Sequence, residues 1–118
     1  MTDMSPLFYI IAGEPSGDLL GARLMASLRQ RLGAVRFAGI GGEMMREQGL
    51  DSLFPMAELS IMGLAEVLPR LPRILRRLRQ TVTDIETRQP VALITIDSSG
   101  FNGRVQRRLK AAGSTIPR

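Results

Sequence analysis

The sequence predicts an α/β protein built on an open, doubly wound, mostly parallel sheet, and three observations predict it. The apolar runs Leu7-Phe8-Tyr9-Ile10-Ile11-Ala12 and Ala92-Leu93-Ile94-Thr95-Ile96 lack the alternation of a half-exposed strand, so they read as strands covered on both faces. Segments with helical spacing of apolar residues lie between the strands, as crossovers between parallel strands require. Gly-rich or polar turns follow the strands at their carboxyl ends, where sheets of this kind assemble ligand sites.

The elements follow in order. After the Leu7–Ala12 strand and the turn Gly13-Glu14-Pro15-Ser16-Gly17, positions Leu19, Leu20, Leu24, Met25, Leu28 and Leu32 recur at helical spacing, and Gly33 stops that helix. Val35 to Ile40 is a second strand, which Gly39-Ile40-Gly41-Gly42 ends in a permissive turn. A short helix from Glu43 to Gln48 closes at Gly49, and Leu53-Phe54 reads as a short third strand. From Pro72, suited to a first helical turn, Leu71, Ile74, Leu75, Leu78, Val82 and Ile85 step by three and four among arginines. Ala92 to Ile96 then delivers Asp97 at a strand's carboxyl end. A last helix runs from Asn102 or Gly103 to Ala111, and Ser114 to Arg118 reads as the lead into a further strand.

The 118 residues suffice for one domain that buries roughly two-thirds of its unfolded surface. A 44% apolar composition excludes disorder, and the absence of Cys and His excludes disulfides, thiol nucleophiles, zinc clusters and imidazole acid–base chemistry. Catalysis here falls to carboxylates, hydroxyls or backbone dipoles, and no cofactor or metal ion is expected. The net charge of +5 is unevenly spread: residues 70–88 carry +4, residues 104–118 carry +5, and the remainder carries −4. Such local basicity suits phosphates or an anionic membrane surface, and equally a solvated helix flank. The N-terminus has no basic leader and Leu7–Ala12 is far too short to span a bilayer, so cytoplasmic residence is expected, with membrane-surface contact allowed.

Three turns carry the candidate chemistry: Gly13–Asp18, Gly39–Glu43 and Asp97–Gly103. The first joins a strand to a helix N-terminus, where free amides and the helix dipole favour an anion or a hydroxyl-rich ligand. It lacks the Lys of a Walker loop and, like the second turn, fails the dinucleotide pattern. Its other reading is structural, with Ser16 or Asp18 capping the helix. Asp97 sits where these sheets place their sites and, without His, is the natural general base; alternatively it caps the last helix, as Ser98, Ser99 or Asn102 could. Met44, Met45, Met56 and Met62 read as adaptable packing.

The run Ile11-Ala12-Gly13-Glu14-Pro15-Ser16-Gly17-Asp18-Leu19-Leu20-Gly21-Ala22 closely resembles the opening motif of lipid-A-disaccharide synthases. The likeness continues through Arg36–Gly42, Leu53–Leu59, Ile61–Pro72 and Thr95-Ile96-Asp97, nearly the whole chain in order. The resemblance implies a Rossmann-like N-terminal domain of a two-domain, GT-B type, inverting glycosyltransferase of lipid A biosynthesis. Such enzymes join a UDP-linked diacylglucosamine donor to a diacylglucosamine 1-phosphate acceptor and release UDP, acting as peripheral proteins on the inner face of the bacterial inner membrane. Residues 1–118 are then expected to be a single, incomplete N-terminal domain, inactive alone, with the C-terminal nucleotide-binding domain outside them.

By the same resemblance Asp97 is expected to be the catalytic base, and Glu14, Ser16, Gly17 and Asn102 to be substrate-binding. Ile61 to Arg79, which sets apolar Ile61, Met62, Leu64, Val67 and Leu68 beside arginines, is expected to form the membrane-facing edge, with Met62, Leu64, Arg70 and Arg73 toward the lipid. Two departures stand out. The family reads I-D-A-P-D-F where this chain has Ile96-Asp97-Ser98-Ser99-Gly100-Phe101, which puts Gly100 in place of the second carboxylate, and the Pro-Asp before this strand is here Pro90-Val91. The competing reading is a stand-alone basic α/β module binding nucleic acid or anionic membrane. With 4% aromatics and no nucleic-acid motif, it rests on charge alone, and no nucleic-acid partner is expected.

Overall fold

A computed structural model describes residues 5–59, 72–96 and 100–118. In chain order it holds β1 (Leu7–Ile11), α1 (Pro15–Leu32), β2 (Arg36–Ile40), α2 (Glu43–Glu47), α3 (Pro72–Arg88), β3 (Ala92–Thr95) and α4 (Gly100–Ala111). The strands form an all-parallel sheet in the order β2-β1-β3, with Leu7 opposite Arg36 and Phe8 opposite Ala92 at the first paired positions. This is the doubly wound α/β arrangement expected of the sequence.

Both faces of the sheet are covered. Tyr9, Ile11, Ile40 and Leu93 join Ile74, Leu78 and Ile85 of α3 and Val105 and Leu109 of α4 in one apolar layer. On the other face Ile10 and Ala12 pack with Ala22 and Met25 of α1, and with Met45 and Leu50. That two-sided burial is why β1 shows no polar alternation: Tyr9, Ile10, Ile11 and Ala12 are all fully buried. Tyr9 keeps its polar atom satisfied by donating from its hydroxyl to Asp84 Oδ2 at 2.7 Å, and Asp84 in turn accepts from Arg88 Nε at 2.9 Å. Burial, and then the bond to Asp84, hold the Tyr9 phenol well above its ordinary pKa, so it stays a protonated donor tying β1 to α3.

Several elements differ from their sequence expectation for identifiable reasons. Helix α1 begins at Pro15, so the second half of the Gly13–Gly17 turn is already helical; proline at a first helical position has no N–H to lose. Helix α4 likewise begins at Gly100, before Asn102. The expected strand at Leu53-Phe54 shrinks to a single parallel bridge between Gly39 and Ser52, with the Leu53 N–H donating to Gly39 O at 2.8 Å. The Ser52 hydroxyl then closes a local turn by donating to Phe54 O at 2.7 Å, and Pro55 removes the next donor. At the outer edge of β3 the Leu93 N–H donates to Pro117 O at 2.8 Å and Ile116 is buried, so the last residues run beside the sheet as the sequence suggests.

Candidate functional site at the carboxyl edge of the sheet

The order β2-β1-β3 places the topological switch point between β1 and β3, because the chain leaves β1 toward β2 and returns on β1's other side. Ligands of open α/β sheets bind in the crevice outside the carboxyl ends at such a point. The strand ends are level there: the Ile96 N–H donates to Ile11 O and the Ala12 N–H to Ile40 O, both at 2.9 Å. The Gly13–Asp18 turn and the Thr95-Ile96 end of β3 therefore lie on adjacent strands.

The first turn presents a helix N-terminus whose N-cap residue, Glu14, makes no side-chain capping bond. Glu14 and Ser16 are exposed, and Gly17 is buried in the first turn of α1. Asp18 does something the sequence did not reveal. It is buried and caps α2 rather than α1: its carboxylate accepts from the backbone N–H groups of Gly42 at 2.9 Å, Met44 at 3.0 Å and Met45 at 3.0 Å. Helix α1 thus spends its only first-turn carboxylate on its neighbour, while its own N-cap residue Glu14 makes no side-chain capping bond.

In the second turn the Gly42 N–H donates to Asp18 and the Gly41 N–H donates to the Ser52 hydroxyl at 3.1 Å. Its glycines serve packing: Gly39 has φ +135° and a Cβ there would collide with the Ile10 carbonyl, while a Cβ on Gly42 would lie 2.6 Å from Asp18 Oδ2. A cleft of about 890 Å³ opens between this turn and residues 51–57, and the N–H groups of Gly41 and Gly42 on its wall are already bonded to Ser52 and Asp18.

Asp97 lies outside the described residues. Ile96 is in sheet register, as above, and its carbonyl accepts from Asn102 Nδ2 at 3.2 Å. Asn102, 2% exposed, is thus placed at the end of β3 with its side chain bonded to that strand. One helical turn on, Gln106 Nε2 donates to Thr95 Oγ1 at 2.8 Å. Next to Gly100, Phe101 is buried edge-on against Phe54, the ring centroids 6.2 Å apart.

Of the expected membrane-facing residues, Met62, Leu64 and Arg70 lie outside the described residues, and Arg73 is exposed on α3. The α3 arginines are not equivalent. Arg76 and Arg79 are exposed, whereas Arg77 forms a bidentate pair with Glu58, Nε to Oε1 at 3.0 Å and Nη2 to Oε2 at 2.7 Å, and its guanidinium lies 4.7 Å from the Phe54 ring centroid. The bonds from Arg77 hold the Glu58 carboxyl below the usual glutamate range. Arg77 is therefore an internal clamp between α3 and the segment before it, and no helical periodicity distinguishes it from its neighbours, because its partner lies 19 residues away. Among the described residues no helix is long and apolar enough to cross a membrane.

A family model described as lipid-A-disaccharide synthetase matches residues 8–117. The lipid-A-disaccharide synthase of Paramagnetospirillum magneticum is 70% identical over 113 residues, 95% of this chain and 29% of that protein. Those of Rhodospirillum centenum and Granulibacter bethesdensis are 55% and 57% identical, over 97% and 92% of this chain. The chain spans under a third of the length of these curated relatives.

Proposed function

Because the chain belongs to the lipid-A-disaccharide synthase family, we propose that it forms the acceptor-side part of an inverting glycosyltransferase. The reaction joins UDP-2,3-diacylglucosamine to 2,3-diacylglucosamine 1-phosphate, giving lipid A disaccharide 1-phosphate and UDP. The observation that supports this reading is the meeting of the Gly13–Asp18 turn and the carboxyl end of β3, Thr95-Ile96, on adjacent parallel strands at the switch point.

Asp97 is the general base. It takes the proton from the acceptor's 6-hydroxyl as that oxygen attacks the donor's anomeric carbon, and the bond from that carbon to the UDP phosphate oxygen breaks on the opposite face. Attack and departure on opposite faces invert the anomeric centre. The N-terminus of α1 favours the acceptor's phosphate or sugar hydroxyls, with Glu14 and Ser16 offering hydrogen bonds and Gly17 letting the backbone come close. Asn102 stands at the same edge. UDP is held by residues outside these 118, so both halves of the cleft are needed for transfer and this chain alone is inactive.

The diacylated substrates reside in a bilayer, which places the protein at the inner face of the inner membrane as a peripheral protein. Met62 and Leu64 insert at the lipid surface, and Arg70 and Arg73 engage anionic headgroups. The exposed Arg76 and Arg79 extend that basic rim; Arg77, committed to Glu58, does not. Near an anionic surface each engaged Arg contributes about 1 kcal/mol.

Vesicle sedimentation tests the reading on the chain itself. Binding should require anionic lipid, weaken with salt, rise when the vesicles carry diacylglucosamine 1-phosphate, and fall when Met62 and Leu64 become Ser. Binding indifferent to the acceptor lipid and to those substitutions, yet displaced by oligonucleotides, would instead establish a basic nucleic-acid-binding module.

A further inference from the structure

We propose that Asn102 and Gln106 are positioning residues that fix the carboxyl end of β3, the strand that Asp97 follows in the sequence. The inference rests on the reading of Asp97 as the general base. Asn102 and Gln106 are four residues apart and so share one face of α4. Each donates to a different residue at the carboxyl end of β3, Asn102 Nδ2 to the Ile96 carbonyl at 3.2 Å and Gln106 Nε2 to Thr95 Oγ1 at 2.8 Å. From the other side the Ile96 N–H is held by Ile11 O at 2.9 Å.

The consequence is geometric. A peptide unit is planar, so the carbonyl of Ile96 and the nitrogen of Asp97 belong to one rigid plate. Pinning that carbonyl restrains the last described peptide plane before Asp97, and pinning Thr95 removes the strand's freedom to roll. α4 is well anchored for this: Val105 and Leu109 are fully buried against the sheet, and Phe101 packs on Phe54. A base displaced by about 1 Å loses on the order of a hundredfold in rate, so two neutral amides acting through the base can govern turnover. Asn102 is 2% exposed and its amide N–H is directed at Ile96, which suits this role better than contact with a sugar hydroxyl.

The test uses a grafted enzyme, in which residues 8–117 replace the matching segment of the Paramagnetospirillum magneticum synthase. Asn102→Ala and Gln106→Ala should lower kcat about ten- to a hundredfold with KM for both sugars held within about twofold, because binding groups are untouched. Thr95→Val, which removes only the acceptor hydroxyl, should reproduce the Gln106→Ala loss, and Thr95→Ser should restore most of it. Should Asn102→Ala fail to fold, the Gln106 and Thr95 variants carry the test, since both positions are only half-buried.

Combination with Asp97→Asn separates positioning from general support of the fold. If the two amides act through the base, adding either variant to Asp97→Asn costs less than about twofold more; if they merely hold the fold, the losses multiply. Unchanged kcat in the folded single variants, or multiplying losses, overturns the proposal while leaving Asp97 as base. Near-normal turnover in Asp97→Asn alone overturns both.

Discussion

Asp97→Asn in the grafted enzyme should cut kcat by about 10²–10⁴-fold, the usual contribution of a positioned proton acceptor, and leave thermal stability and substrate KM nearly unchanged. The substitution keeps the side chain's shape and removes only its ability to accept a proton. No histidine or cysteine in the chain can take over the task, and the family's second carboxylate is here Gly100, so this chain offers no neighbouring acid in the motif to substitute for the lost one. Steady-state kinetics with both lipid substrates reads the effect, and a thermal melt controls for folding. A fall in melting temperature that parallels the loss of turnover would assign Asp97 to capping α4 instead.

The largest stability effect is expected at Asp18. Its carboxylate accepts three backbone N–H bonds at the start of α2 from a side chain that is 5% exposed. Asp18→Ala deletes a cap and strands donors in the interior, at a cost of about 3 kcal/mol, and in a domain whose whole stability is about 5–15 kcal/mol that is a large share. The melting temperature should drop by about 10 °C. Asp18→Asn should fall between, since one amide oxygen can still accept while the NH2 group opposes the remaining donor. Chemical and thermal denaturation of the 118-residue chain measure both. An Asp18→Ala protein within about 2 °C of the original would mean that the α2 N-terminus is not held by this carboxylate.

Asp18 also illustrates which parts of the molecule could be read in advance. The strands were legible because burial on both faces leaves a continuous apolar run, as in Leu7–Ala12 and Ala92–Ile96. The α3 helix was legible because its apolar residues repeat every three to four positions. These signals are local. The role of Asp18 is not, since it is decided by amides 24 to 27 residues further on, and the motif in which it lies suggested a cap for its own helix. Arg77 was hidden in the same way: among five arginines with the same spacing, only the bidentate pair with Glu58 and the contact with Phe54 mark it as internal. At Pro15 the sequence was ambiguous, because proline serves equally in a turn and in a first helical turn.

The crevice itself could be located from sequence, since a strand's carboxyl end is where these sheets build sites. Which strands are neighbours could not, because strand order is a long-range property. The order β2-β1-β3 is what brings the Gly13–Asp18 turn and the entrance to Asp97 to the same switch point. Gln106 carries no local signal at all; its partner Thr95 faces it only once α4 has folded back on β3.

The most direct measurement is the product of the grafted enzyme. Supplied with UDP-2,3-diacylglucosamine and 2,3-diacylglucosamine 1-phosphate in anionic vesicles, it should release one UDP per disaccharide formed, with the donor sugar's anomeric configuration inverted, while the 118-residue chain alone forms none. A folded, vesicle-binding graft that yields no disaccharide, or one that retains the anomeric configuration, would contradict the assignment of these residues to the acceptor side of an inverting glycosyltransferase.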